Sequence, residues 1–235
     1  MLNLEMVTVA NILPVLVSLP FIGALILSLG QWSRDFARWF ALVVKFVVFL
    51  VSLELCGFFD TTLDSSWFQC LTEFQLFSNW KVWLGVDGIA VSLIMLTTLI
   101  MLISLLVAWN SIATKWRAFA INLLVLEGFL LLSFSVLDLF IFYLAFESVL
   151  IPMFLIIGMW GSRLERIKAA WYFFFFTLVG SIFLLIAIIV IYVKLGTTSF
   201  FYMNLPSSIH GLVWVAFFVA FAVKIPTWPF HLWLP

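Results

Sequence analysis

Charged residues are scarce in this chain. Asp, Glu, Lys and Arg make up 9% of its 235 residues, where a soluble domain carries about a quarter, so a soluble globular fold is excluded. The formal net charge is zero, which leaves no basic surface for nucleic acid. There are two cysteines, Cys56 and Cys70, without the spacing of a metal site. A zinc centre is therefore excluded, and a disulfide between them is the lesser reading against free thiols. No run of alternating polarity long enough for a transmembrane β-strand occurs, which removes a β-barrel. Nothing ahead of the first apolar run reads as a cleavable signal or transit peptide, and Glu5 makes the start acidic. The chain is expected to insert as made.

What remains is apolar: 66% of the residues are hydrophobic. Several runs reach the ~20 residues that cross a bilayer as a helix. The fold class expected is all-α, a polytopic bundle of about seven spans at 7–29, 39–59, 88–109, 118–137, 139–160, 170–193 and 211–235. A turn around Asp138 separates the fourth and fifth. The connector 60–87 holds Trp67, Trp80 and Trp83 and is expected to lie along the interface, where aromatic rings are favoured. Alternate connectors then fall on opposite sides. One side collects Arg34, Arg38, Lys115, Arg117, Arg163, Arg166 and Lys168, and the other only Lys81 and Lys194. By the positive-inside rule the first side is the cytoplasm or matrix, and the N-terminus faces the other way. The basic connector 161–168 reads as an anchor on that side, open also to a partner subunit or lipid headgroups.

Five ionisable residues stay inside spans: Lys45, Glu54, Glu127, Glu147 and Lys224. Lys45, two turns into its span, has a stem long enough to snorkel, and Glu54 lies near the outer end of the same span. Both read as interfacial anchors. Glu127, mid-span, is either a protonated, hydrogen-bonded carboxyl or part of a proton path. Glu147 lies about nine residues, or ~13 Å, from the outer end of its span, and Lys224 about thirteen residues, or ~19 Å. In a ~30 Å core these depths bracket the midplane. An acid and a base at similar depth can pair, and a pair whose protonation answers to its neighbours can relay protons; the alternative is a static ion pair that fixes helix packing. Pro226 and Pro229 follow Lys224 and predict a broken helix with freed backbone groups. His231 comes next, either on the polar path, where it titrates near neutral pH, or packed in the interior. Pro152 is expected to bend the fifth span five residues past Glu147.

The block Phe146-Glu147-Ser148-Val149-Leu150-Ile151-Pro152-Met153-Phe154, with Gly158, Trp160-Gly161-Ser162-Arg163 and Ile167-Lys168-Ala169-Ala170, resembles subunit 4 of the proton-pumping NADH:ubiquinone oxidoreductases (respiratory complex I), in the antiporter-like membrane-subunit family. Phe221-Ala222-Val223-Lys224-Ile225-Pro226 with Pro229, His231 and Trp233-Leu234-Pro235 resembles that family's broken-helix motif, and Val86-Asp87-Gly88-Ile89 also fits. The likeness is good over 85–235 and loose over the first two spans. It implies a proton-translocating subunit in which Glu147 and Lys224 are partners, to which the reading of the residues themselves adds Glu127 and His231 as a possible path. It implies three N-terminal helices over 1–109, with the connector at 60–87, and an incomplete first antiporter-like repeat over 110–235, half of an inverted-repeat fold. It implies no cofactor on this chain, FMN and iron–sulfur clusters lying in other subunits of the complex. The implied partners are other membrane-arm subunits and membrane lipids, and the implied location is the mitochondrial inner membrane, N-terminus toward the intermembrane space. Family chains continue through about seven more spans, so a subunit made in two pieces, completed by a second chain, is expected, the alternative being a truncated sequence. Two other readings stay open: a multisubunit monovalent cation/proton antiporter, and a structural membrane subunit without transport.

Overall fold

The computed structural model describes residues 2–30, 32–59, 68–77, 80–112 and 114–233, with the backbone alone for 2–10, 76–77, 80 and 232. Asp60, Asp64, Trp67, Leu234 and Pro235 and the side chains of Glu5 and Trp80 lie outside the described residues. Among the described residues, seven helical segments are long and apolar enough to cross a membrane. The chain divides into two compact units, Met1–Val136 and Leu137–Pro235.

The first unit holds α1 (Leu2–Leu29), α2 (Arg34–Phe58), strands β1 (Gln69–Phe77) and β2 (Trp80–Val86), α3 (Gly88–Ser111) and α4 (Trp116–Ser135). Helix α4 packs on α1, α2 and α3, and α2 packs on α1 and α3. Side-chain caps start the helices: Ser33 accepts from the Phe36 N–H, and Asp87 from the Ala90 N–H at 2.7 Å, each meeting a donor that the first turn leaves free. At one end of the unit, Arg34 donates to the Ile112 carbonyl and Arg38 to the Trp109 carbonyl, both at 2.7 Å, and Arg117 donates to Gly30. The α1–α2 and α3–α4 connectors are thereby tied together by arginine-to-carbonyl hydrogen bonds.

The connector departs from an all-helical reading. Strands β1 and β2 pair antiparallel, with Glu73 opposite Trp83 and Gln75 opposite Lys81. Val82, Leu84 and Val86 are buried and Lys81 is exposed, the period-two pattern of a strand with one covered face. A Lys81–Glu73 ion pair at 2.6 Å crosses the hairpin. The two cysteines are free thiols.

The second unit holds α5 (Leu139–Ser148), α6 (Leu150–Trp160), α7 (Arg166–Leu195), a 3₁₀ turn at Phe200–Tyr202, α8 (Ser207–Lys224) and a 3₁₀ turn at Phe230–Trp233. Helix α7 is the centre, touching α5, α6, α8 and the last turn. Lipid tails are as apolar as leucine, so helices associate here by close packing more than by escape from water. Small residues allow it: Ala187, Ala216 and Ala220 sit in the buried core, and a Cβ on Gly180 would come within 2.8 Å of Val223. Helix α7 ends on Gly196 at φ 71°, the left-handed cap that glycine takes without a Cβ clash. Between α5 and α6 the helix is interrupted at Val149 alone. Pro152, four residues past Ser148, has no N–H to give the Ser148 carbonyl.

Asp138 starts α5. It is 2% exposed, accepts from the N–H groups of Phe140 (2.9 Å) and Ile141 (3.1 Å), and receives the Thr198 hydroxyl at 2.6 Å. The turn read from sequence is thus a buried carboxylate pinning the α7–α8 loop to the head of α5. Asp138→Ala is expected to cost about 1–3 kcal/mol by removing the cap and stranding Thr198, and Asp138→Asn to recover most of it. Thermal denaturation in detergent, followed by the helical dichroism signal, tests this; equal midpoints for native and Ala chains would remove the cap from the account.

Candidate functional site

Lys224 is the last residue of α8. Proline 226 cannot give the Ala222 carbonyl its helical hydrogen bond, so the ladder stops. Other groups meet the freed carbonyls. The Thr227 N–H and hydroxyl donate to Ala222 at 3.0 and 3.2 Å, and the Trp233 indole donates to Val223 at 2.9 Å. The Trp233 ring in turn stands edge-on to Phe173 of α7, centroids 5.2 Å apart. In hydrocarbon an unpaired backbone group costs several kcal/mol, so this cap is what makes a break at Lys224 tenable.

The break fixes where the ammonium goes. Lys224 Nζ donates to the Phe146 carbonyl at 3.1 Å and lies 4.0 Å from the centre of the Phe146 ring, a cation–π distance. Phe146 immediately precedes Glu147. Among the described residues Glu147 and Lys224 make no ion pair within 4.0 Å, yet each feels the other's charge, Ser181 of α7 acts on the carboxyl, and the Glu147 charge reaches Tyr143 one turn earlier on α5. Glu147 Oε2 is buried without a hydrogen-bond partner. The acid and the base of the second unit are therefore neighbours, with the amine held on the backbone beside the acid. His231 lies in the last 3₁₀ turn with Pro229 just before it, its Nδ1 buried and unpartnered.

The first unit holds a direct ion pair. Lys45 Nζ meets Glu127 Oε2 at 2.6 Å, both side chains 0% exposed, and its next contact is the Leu123 carbonyl at 3.5 Å. This corrects the reading of Lys45 as a snorkelling anchor. The residue faces α4 from the buried stripe Ala37, Ala41, Lys45, Val48, Ser52 and Leu55 of α2, and Glu127 offers it a better partner than the membrane surface. A signal was present: Lys45 and Glu127 each lie eleven residues past the start of a helix that begins on the same side, hence at the same depth of roughly 16 Å. Glu54, in contrast, is exposed. The sequence also gave no direct pointer to Ser181, Tyr143, Thr227 or Trp233, although the i, i+4 spacing of Tyr143 and Glu147 puts both on one face of α5.

Residues 136–235 match the model of the NADH:quinone oxidoreductase/Mrp antiporter transmembrane family. NADH-ubiquinone oxidoreductase chain 4 of Chondrus crispus is 44% identical over 92% of this chain and 45% of its own length. NADH-quinone oxidoreductase subunit M of Rhodobacter capsulatus is 39% identical over 96% of this chain and 47% of its own. Among solved structures, a chain of respiratory complex I from Thermus thermophilus superposes with a TM-score of 0.78 at 28% identity, over 95% of this chain and 46% of that one. A chain of an archaeal membrane-bound sulfane sulfur reductase shares the fold, with a TM-score of 0.76 at 21% identity. This chain spans about half the length of the relatives it matches.

Proposed function

We propose, from the match of residues 136–235 to the model of the NADH:quinone oxidoreductase/Mrp antiporter transmembrane family, that this multi-pass membrane protein is a proton-translocating membrane-arm subunit of an NADH:ubiquinone oxidoreductase. The observation that carries the proposal is the placing of Lys224, at the capped helix break, on the backbone of Phe146 beside Glu147. The mechanism is electrostatic. A buried amine next to a carboxyl holds or releases its proton according to the charge around it. A charge change elsewhere in the assembly alters that balance, and Lys224 passes its proton on; His231 is on the route. Redox chemistry, with FMN and iron–sulfur clusters, belongs to other subunits. The location is the mitochondrial inner membrane with the N-terminus toward the intermembrane space, supported by the asymmetry of Lys and Arg between connectors. Spans four to seven, from residue 110 on, open the antiporter-like repeat, although α4 packs with α1–α3.

The test compares Glu147→Gln with Glu54→Gln in sealed membrane vesicles, measuring protons moved per NADH oxidised and the amount of assembled complex. Glu147→Gln is expected to lower pumping by roughly 100-fold or more, from the lower bound of what a positioned acid–base group supplies, and Glu54→Gln to leave it unchanged. Equal effects of the two at equal assembly would defeat the assignment and favour a structural subunit. Sodium-dependent, NADH-independent proton exchange would favour the antiporter reading.

A further inference from the structure

We infer that Glu127 of the first unit is a second proton-binding group, with Lys45 as the positioning residue that keeps its carboxyl oriented and counter-charged. The inference rests on the translocation reading above. A buried ion pair retained for packing needs every lone pair and proton satisfied, since apolar side chains of similar volume otherwise hold the helices as well or better. This pair is incompletely satisfied. Glu127 Oε2 is taken by Lys45 at 2.6 Å, whereas Oε1 is buried with no partner. Glu147, the acid of the second unit, shows the same feature at Oε2. Nearby polar contacts in the first unit are closed: Ser52 of α2 and Thr98 of α3 bond each other at 2.9 Å and the carbonyls of Phe49 and Met95. Among the described residues of the first unit, Glu127 Oε1 is the buried side-chain oxygen left open, the other open buried atoms there being the nitrogens Arg38 Nε and Trp116 Nε1.

The step balances simply. A proton delivered by hydronium adds to the free lone pair of Oε1, breaking one O–H bond of the hydronium and forming one on the carboxyl; water is left behind and the carboxylate becomes a carboxylic acid. The Lys45–Oε2 contact persists, so the pair passes from net zero to net +1 without a side chain moving. Release restores the ion pair.

Lys45→Gln/Glu127→Gln keeps a hydrogen bond between α2 and α4, leaves net charge unchanged and removes the proton-binding oxygen. Assembled complex is expected near the native level, with protons per electron reduced at least about fivefold, the lower end of ordinary coupling between sites. Native pumping at native assembly overturns the inference. If the double variant does not assemble, the exchanged pair Lys45→Glu/Glu127→Lys decides. Restored assembly with reduced pumping supports the inference, because the acid now sits on the wrong helix. Restored assembly with full pumping, or failure of this variant too, assigns the pair to packing and overturns it. Glu147→Gln in the same vesicles separates the two levels: if it pumps normally the translocation reading itself fails, and if it alone loses pumping only the role of Glu127 does.

Discussion

Lys45→Met should destabilise the first unit by about 3–5 kcal/mol, the cost of leaving a buried partner charge uncompensated. The geometry argues for the upper part of that range. Lys45 and Glu127 are both 0% exposed and 2.6 Å apart, and Leu123, Leu124, Leu126 and Leu131 around the acid on α4 are buried apolar side chains. Without the amine, Glu127 has nothing at hydrogen-bonding distance. Lys45→Met/Glu127→Leu should recover most of the loss, because the pair is then replaced by apolar volume on both helices. Unfolding in mixed micelles, read by tryptophan fluorescence, separates the two. A double variant as unstable as the single one would mean that side-chain volume, not charge, holds α2 against α4. Stability regained this way is compatible with loss of pumping, since the exchange removes the proton-binding oxygen as well.

Lys224→Ala should abolish most proton movement, by ~100-fold at the lower bound for a positioned proton-transfer group, while leaving NADH oxidation measurable when the membrane is made leaky. The ammonium is the side chain that α8 delivers to Phe146, and an alanine reaches neither the carbonyl at 3.1 Å nor the ring. The helix break should survive, because its carbonyls are met by Thr227 and Trp233 and not by Lys224. Loss of pumping at native assembly would thus report on the amine itself. Lys224→Arg should restore pumping only in part, since a guanidinium keeps the proton that an ammonium can lose. Proton uptake driven by NADH in sealed vesicles, normalised to assembled complex, is the measurement. Undiminished uptake by the Ala variant would reduce Lys224 to a packing residue.

The legible parts of the site were those that a break in pattern exposes. Lys224 and Glu147 stand out because a charge in an apolar run has few tolerable surroundings, and Pro226 and Pro229 mark the end of α8 by removing a donor. How the break is capped was not legible: Trp233 lies ten residues beyond Val223, and a helix–turn sequence does not say where an indole will fold back. The hairpin of the connector was partly legible. Val82, Leu84 and Val86 alternate with Lys81, Trp83 and Gly85, yet the aromatic richness of the segment pointed first to the interface.

Lys45 shows the limit of span-by-span reading. Its depth was known from the sequence, and so was that of Glu127, but depth fixes position along a helix and leaves rotation about the axis and choice of neighbour undetermined. Helices such as α3 are apolar on all faces, so composition does not say which side turns inward. By itself, the sequence located, among the described residues, seven stretches apolar enough to cross a membrane and the few residues that carry charge at depth, though not the helix ends, since the last helix covers Ser207–Lys224 and not 211–235. The stretches and the charges follow from hydropathy and backbone chemistry, which act residue by residue along the chain. Which acid meets which base was decided only by tertiary packing, because that depends on close approach at small residues such as Gly180 and on the facing of α2 toward α4. Both are properties of two surfaces in contact and of neither helix alone.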